Sequence, residues 1–433
     1  MSSILKDTLS IGGSKIIIII SGLLQISITA HLLGPEINGI IATLILYPTI
    51  FMSIGSIGIR QSTTYCLGKK LFSLEKIKTS ITQIWFFSTI FSLLLCFILM
   101  YFFNTHKNSQ LIILAISPIP FALFNTYNSG IFLGQNNIKS FNQINWLPPV
   151  IQVICISILI YFFQIGVQSV LIGILIGHVI TSFLLIKKNN FAESLSLKIH
   201  WDVIKKLTSL GIIYAVSLLA ISLNYKMDII LLEHYSNSFQ LGLYSKGVSI
   251  TEYLWQIPMF LSTVIFSRSA TSKDNEKFSQ EVIFLLHISL IFVGISSIII
   301  YFLAPIIIEF MFGKTFFGSI SVLRYLLPGV FLLTIFKVLN MDLAGRGKPN
   351  IALYAMIPAL IINIILNIKL IPTLGANGAS IASTISYSFS ALLFILQYSK
   401  YTKIKKRSIL NFKSSKKKLR KFIINHKKNI HLK

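Results

Sequence analysis

The residues most able to do chemistry are ionisable side chains set inside apolar runs. Each costs about 2.5–3.5 kcal/mol to hold at mid-membrane, so it is kept only for a reason. Glu252 lies thirteen residues into the run 239–267, roughly 20 Å along a helix, too deep for a short acid to stretch to water. It is expected to face a wet cavity and serve in ion coupling or gating. Lys15 lies seven residues into the run 8–33, roughly 10 Å deep, where it either snorkels or lines a cavity. Lys246 and Arg324 are intermediate in depth. Lys226 and Asp228 fall near the outer end of one run, and Lys337 and Asp342 near the inner end of another. For these four, interfacial snorkelling or a structural ion pair competes with coupling. Lys226 and Asp228 are two residues apart, hence on nearly opposite helix faces, and are not expected to pair.

Enzymatic chemistry finds no footing. The chain has no G-x-S-x-G, H-E-x-x-H, Walker or D-x-D motif, so no catalytic residues, cofactor or metal are expected. Asp274 and Glu276 belong to a polar stretch, Ser272 to Lys277. Cys66, Cys96 and Cys155 are odd in number and widely spaced, and imply neither a disulfide framework nor a metal site.

The elements that must position these residues are membrane spans. Of the 433 residues, 54% are apolar and 12% charged, about half the charged share of soluble domains. Twelve runs approach the length that crosses about 30 Å of hydrocarbon: 8–33, 37–60, 80–103, 110–134, 146–164, 167–187, 208–232, 239–267, 280–304, 318–344, 350–371 and 376–399. The first is read as a retained helix, being too long for a signal h-region and lacking a cleavage site. Loops on the side of the termini carry Arg60, Lys69, Lys70, Lys76, Lys78, Lys139, Lys187, Lys188, Lys205, Lys206, Arg268 and Arg346, whereas the opposite loops offer Lys107 and Lys314. The positive-inside rule therefore places both termini in the cytoplasm. Residues 400–433 hold 14 basic and no acidic side chains. Such a tail is attracted to anionic lipids, and nucleic acid is not expected because no groove-reading module accompanies the charge.

No loop is long enough for a soluble catalytic domain. Landmarks recur at near-constant offset: Gly134 and Gly345, Pro148 and Pro358, Gly166 and Gly375. Two six-helix halves in the same orientation follow, an arrangement that transporters use with the substrate path between the halves. Eight prolines within spans favour bent helices around a cavity. Asn125, Tyr127, Asn128, Asn363 and Asn367 offer hydrogen bonds to a sugar or between helices.

Three stretches carry a family resemblance. Leu33-Gly34-Pro35 with Gly39 resembles the LGPxxxG turn between the first two helices of bacterial polysaccharide exporters. Asn224-Tyr225-Lys226-Met227-Asp228, followed by Leu241-Gly242-Leu243-Tyr244-Ser245, resembles their seventh and eighth helices. Ala344-Gly345-Arg346-Gly347-Lys348-Pro349 and the segment from Asn367 to Ala382, with Pro372, Gly375 and Gly378, are similar to their most characteristic block. The chain is thus similar to the O-antigen and capsule repeat-unit flippases of the multidrug/oligosaccharidyl-lipid/polysaccharide (MOP) exporter superfamily. The resemblance implies an all-α integral membrane protein of about 12 helices in two MATE-like lobes: residues 1–190, a linker 191–207, residues 208–399, and the basic tail 400–433. It also implies export of undecaprenyl-diphosphate-linked oligosaccharide across the bacterial inner membrane by alternating access. A polymerase and a chain-length regulator would be neighbouring partners. A cationic cavity for the diphosphate would draw on Lys15, Arg60, Lys246 and Arg324, assigned by residue type and depth. The alternatives are a cation-coupled drug exporter, which would prefer more deep acids, and a membrane polysaccharide polymerase, which would carry a large loop.

Overall fold

The computed structural model describes residues 2–103, 108–135, 137–188, 198–271 and 274–412. Among these residues every regular element is a helix. Ten helices are long and apolar enough to cross a membrane, the first being Ile16–Gly68. That helix folds back at Gly34, which leaves helical geometry at φ 71°, ψ 176°. There the Asn38 amide donates to the Thr29 carbonyl at 2.8 Å and to the Gly34 carbonyl at 2.6 Å. Nine residues of straight helix would hold residues 29 and 38 roughly 13 Å apart, so the one long helix is two crossings. A further crossing is split at Trp255 into Ser238–Leu254 and Gln256–Thr271, which brings the number to twelve.

We label the crossings α1 (2–33), α2 (35–55 and Ile59–Gly68), α3 (Leu74–Phe103), α4 (Ser109–Ile116 and Ile119–Gly134), α5 (Ile138–Ile158), α6 (Val167–Lys188), α7 (Trp201–Tyr235), α8 (Ser238–Leu254 and Gln256–Thr271), α9 (Asn275–Phe312), α10 (Gly318–Gly345), α11 (Leu353–Leu374) and α12 (Ala376–Thr402). A short α13 (Lys406–Leu410) follows. Twelve crossings return both chain ends to one side, called here the near side; the other is the far side. The helices outrun the apolar stretches that announce them. The run 280–304 becomes Asn275–Phe312 because Asp274 caps its start, accepting from the Lys277 amide, and the largely apolar stretch 305–312 carries the helix on to Gly313.

The chain builds two large cores, beside a small cluster of Ile41, Ile156, Ile160 and Val170. One gathers Leu44, Phe51, Ile81 and Leu123 from the first six crossings; the other gathers Val322, Val330, Phe336 and Phe394 from the last six. The recurring landmarks take the same place in each half. Gly134 ends α4 where a Cβ would strike Leu67 of α2, and Gly345 ends α10 where a Cβ would strike the Phe266 carbonyl of α8. Gly166 and Gly375, both with positive φ, turn α5 into α6 and α11 into α12.

The halves meet on the far side through a reciprocal contact. Gly39 of α2 lies on the Ser238 carbonyl and Gly242 of α8 on the Pro35 carbonyl. Each glycine thus meets the residue four before its counterpart, as a local twofold relation requires. Neither position leaves room for a Cβ.

Candidate functional site

The two lysines read from sequence as peripheral are central. Glu252 on α8 lies within electrostatic range of both Lys226 on α7 and Lys337 on α10. The reason is helix direction. Side chains lean toward the N-terminus of their own helix. Lys226 sits near the far end of α7, which begins on the near side, and Lys337 sits near the near end of α10, which begins on the far side. Both therefore reach inward to mid-depth instead of snorkelling outward, which corrects the interfacial expectation for this pair.

Aromatic rings hold one of the cations. The Lys337 Nζ is 3.9 Å from the Trp255 ring centroid and 4.5 Å from that of Tyr225. Tyr225, Trp255 and Tyr387 form a triangle with centroids 5.7, 5.8 and 6.1 Å apart. Trp255 occupies the break in α8, and its indole N–H donates to the Val330 carbonyl at 3.2 Å, which fixes the ring. Desolvated cation–π contacts contribute up to about 2 kcal/mol each, enough for two to offset the cost of a mid-membrane lysine. Glu252 is exposed. With two cations against one anion the group carries a net charge of +1. It can accept a multivalent anion, with Glu252 as the group to be displaced.

The acids Asp228 and Asp342 are fully engaged elsewhere. Asp228 Oδ1 accepts from Asn363 at 2.8 Å and Asn367 at 2.7 Å, and Oδ2 accepts from Tyr244 at 2.6 Å and from Ser383. It faces away from Lys226, as their spacing required, and joins α7, α8, α11 and α12. Asp342 accepts from Ser269 at 2.6 Å, Ser279 at 3.0 Å and Tyr398 at 2.6 Å, and pairs with Arg346 at 2.8 Å. It joins α8, α9, α10 and α12 at the near side. Hydrogen bonds to charged groups are worth about 1.5–3 kcal/mol each, so both carboxylates are strong helix ties. Asn125, Asn363 and Asn367, considered for sugar recognition, are ties between helices as well. In the other half, Asn125 accepts from Ser182 at 2.8 Å, and Tyr127 donates to the Gly55 carbonyl at 2.5 Å.

Of the remaining candidates, Lys246 and Arg324 are engaged elsewhere. Lys246 is 5% exposed and joins the halves on the far side, donating to the Ile26 carbonyl at 3.2 Å and to Thr29 Oγ1 at 3.0 Å of α1. Ser27 donates across the same seam to the Met311 carbonyl at 2.8 Å. Arg60 is half-buried, the second residue of the inner segment of α2 after the Gly58 turn. A cation there opposes the helix dipole. Arg324 lies on the surface between α9 and α10, its Nε donating to the Tyr301 carbonyl at 3.1 Å. Lys15 lies on α1, with its side chain outside the described residues, as is the tail from residue 413. No group of three His, Cys, Asp or Glu able to hold a metal occurs among the described residues.

The sequence reading missed Tyr225, Trp255 and Tyr387. No periodic signal sets them apart from other membrane aromatics; only the neighbouring Lys226, two residues before Asp228, marked the region.

A polysaccharide biosynthesis protein model matches residues 28–321, which includes the α7–α8 part of the group. The chain belongs to that family. The solved structures it resembles share its fold. An inward-facing multidrug resistance MATE family transporter of the MOP superfamily is 16% identical, with a TM-score of 0.74 over 92% of this chain and 98% of that one. The lipid II flippase MurJ in an inward closed conformation is 18% identical, with a TM-score of 0.70 over 94% of this chain and 89% of that one. A MOP superfamily transporter from Pyrococcus furiosus, described as having a binding pocket of reverse polarity, is 16% identical, with a TM-score of 0.67 over 94% and 97%. No curated protein matches the chain. The family member is therefore a multi-pass membrane protein with the MOP transporter and flippase fold.

Proposed function

We propose that this protein exports undecaprenyl-diphosphate-linked oligosaccharide repeat units of an O-antigen or capsule. Transfer runs from the cytoplasmic to the periplasmic leaflet of a bacterial inner membrane by alternating access. The observation that carries the reading is the net-cationic group Lys226, Lys337 and Glu252 at mid-depth beside the α8 break. A diphosphate brings about two negative charges, and an inside-negative potential favours their outward movement by about 2.3 kcal/mol per charge per 100 mV. The protein's task is then to lower the barrier. Lys226 and Lys337 take the diphosphate in place of water, Glu252 gives up its hold on them, and on the return step it takes them back.

Arg60 and Lys15 would supply positive charge from the first half. The bonds of Lys246 and Ser27 hold the halves together on the far side, and the close approach of Gly58 to Gly211 joins α2 to α7 toward the near side, which this reading places in the cytoplasm. Glu252, exposed and in range of both lysines, is the candidate for ion coupling, while Asp228 stays a tie between helices. The basic tail would be attracted to anionic lipid, and a polymerase and a chain-length regulator would be neighbouring partners. A drug exporter of the same superfamily is disfavoured, because the buried acids are occupied and Glu252 is outnumbered by lysines.

The test deletes the gene and follows lipid-linked units on intact spheroplasts with a membrane-impermeant glycan label. Complete units trapped in the inner leaflet, restored by the wild-type chain, are expected. Units that reach the outer leaflet normally would contradict the proposal.

A further inference from the structure

Arg324 and Lys337 share α10 but not a face. Thirteen residues separate them, or roughly 220° around a helix. While Lys337 turns to the central group, Arg324 turns to the seam between α9 and α10 on the outside of its lobe. Its guanidinium lies over the Tyr301 ring, 4.9 Å from the centroid, and Nε donates to the Tyr301 carbonyl at 3.1 Å. Neither ion pair within 4.0 Å among the described residues includes it. The residue stands six positions into α10 from the far end, roughly 9 Å below it. That depth is costly for an arginine, whose guanidinium carries five N–H donors of which Nε has the Tyr301 carbonyl.

An apolar groove runs from this point toward the membrane middle. Gly294, Tyr301 and Phe302 of α9 form one wall, and Leu327, Pro328 and Phe331 of α10 the other. Gly294 keeps it open: a Cβ there would press on the Phe331 ring at 3.2 Å. The charge sits at the end nearer the headgroups and the apolar channel extends below it. This is the polarity of one lipid molecule in the far-side leaflet, and bidentate pairing with phosphate is what a guanidinium does best.

We propose that Arg324 and the α9–α10 groove form a binding site for one phospholipid of the far-side leaflet, with its phosphate on the guanidinium and one acyl chain in the groove. The occupant is a bilayer phospholipid and not the polyprenyl carrier of the transported glycan, because the groove opens away from Lys226, Glu252 and Lys337. The site braces α9 against α10, the helix that carries Lys337.

The test titrates the purified full chain in mild detergent with phosphatidylglycerol, with diacylglycerol of the same chains, and with undecaprenyl phosphate, reading bound lipid by native mass spectrometry. In the wild type, one phosphatidylglycerol is expected to bind about tenfold more tightly than diacylglycerol. Arg324→Gln should remove that preference, and Gly294→Leu, which fills the groove while leaving the charge, should remove the bound lipid. The basic tail is common to all three proteins, so lipid held by it does not distinguish them. Equal preference in wild type and Arg324→Gln, or undisturbed binding in Gly294→Leu, would overturn the proposal. Displacement of phosphatidylglycerol by equimolar undecaprenyl phosphate would also overturn it, in favour of the carrier lipid.

Discussion

The two lobes follow one helix plan with two chemistries. The second is tied by buried charge: Asp228 and Asp342 each draw donors from several helices, and Lys337 sits against aromatic rings beside Glu252. The first is tied by neutral bonds such as Tyr127 to the Gly55 carbonyl. Several of its buried hydroxyls, those of Thr63, Ser80, Thr89, Ser92 and Ser169, have no partner among the described residues. A charged tie is strong and hard to rearrange, because a buried ion left alone is penalised heavily. Neutral ties exchange at lower cost. The second lobe therefore reads as the rigid half, which carries the Lys226, Glu252 and Lys337 group, and the first as the half that adjusts around it.

The sharpest way to break this contrast is to cut one tie in each lobe. Asp342→Ala strands Arg346 and three other donors and should cost about 3–5 kcal/mol, seen as a large fall in the detergent melting temperature or loss of folded protein. Tyr127→Phe removes two neutral bonds, to the Gly55 carbonyl and to Ser88 Oγ, and should cost about 1–2 kcal/mol. Equal losses would erase the distinction. Transport comes next. Lys337→Met keeps the bulk against Trp255 and Tyr225 but removes the charge, and should lower flipping at least tenfold, about 1.4 kcal/mol, with melting nearly unchanged. Glu252→Gln should slow turnover less, while leaving the protein folded and tightening its hold on the substrate. Unchanged flipping in Glu252→Gln would remove that residue from the cycle.

The smallest effect belongs to the place where the lobes are alike. Gly39→Ala and Gly242→Ala each force a Cβ onto a backbone carbonyl of the other lobe, and should loosen the far-side seam to a similar degree. Ala30, 1% exposed and packed into the second lobe's core, reports on this. An Ala30→Cys background should become a few-fold more reactive to an impermeant maleimide in both variants. A response in one variant only would show that the seam is not symmetric.

Much of the fold was legible in residue spacing. Apolar length located the crossings, and Gly134, Gly166, Gly345 and Gly375 marked equivalent helix ends, because a glycine at a close approach or positive φ has few substitutes. The depth of Glu252 in its run singled it out. Lys226 and Lys337 were harder to place, since distance to a span's end is visible in a sequence while the lean of a side chain depends on which way its helix runs. Lys246 and Arg324 have similar depth on paper. Only the packed helices show that one is sealed between the lobes and the other turned to lipid.

The most direct test of the central claim uses proteoliposomes loaded with purified lipid-linked diphosphate oligosaccharide, with an imposed membrane potential. Wild-type flipping should accelerate when the potential drives negative charge in the export direction, and the Lys226→Gln/Lys337→Gln protein, still folded, should lose that transport. Flipping that ignores the potential and survives in the double variant would contradict the account.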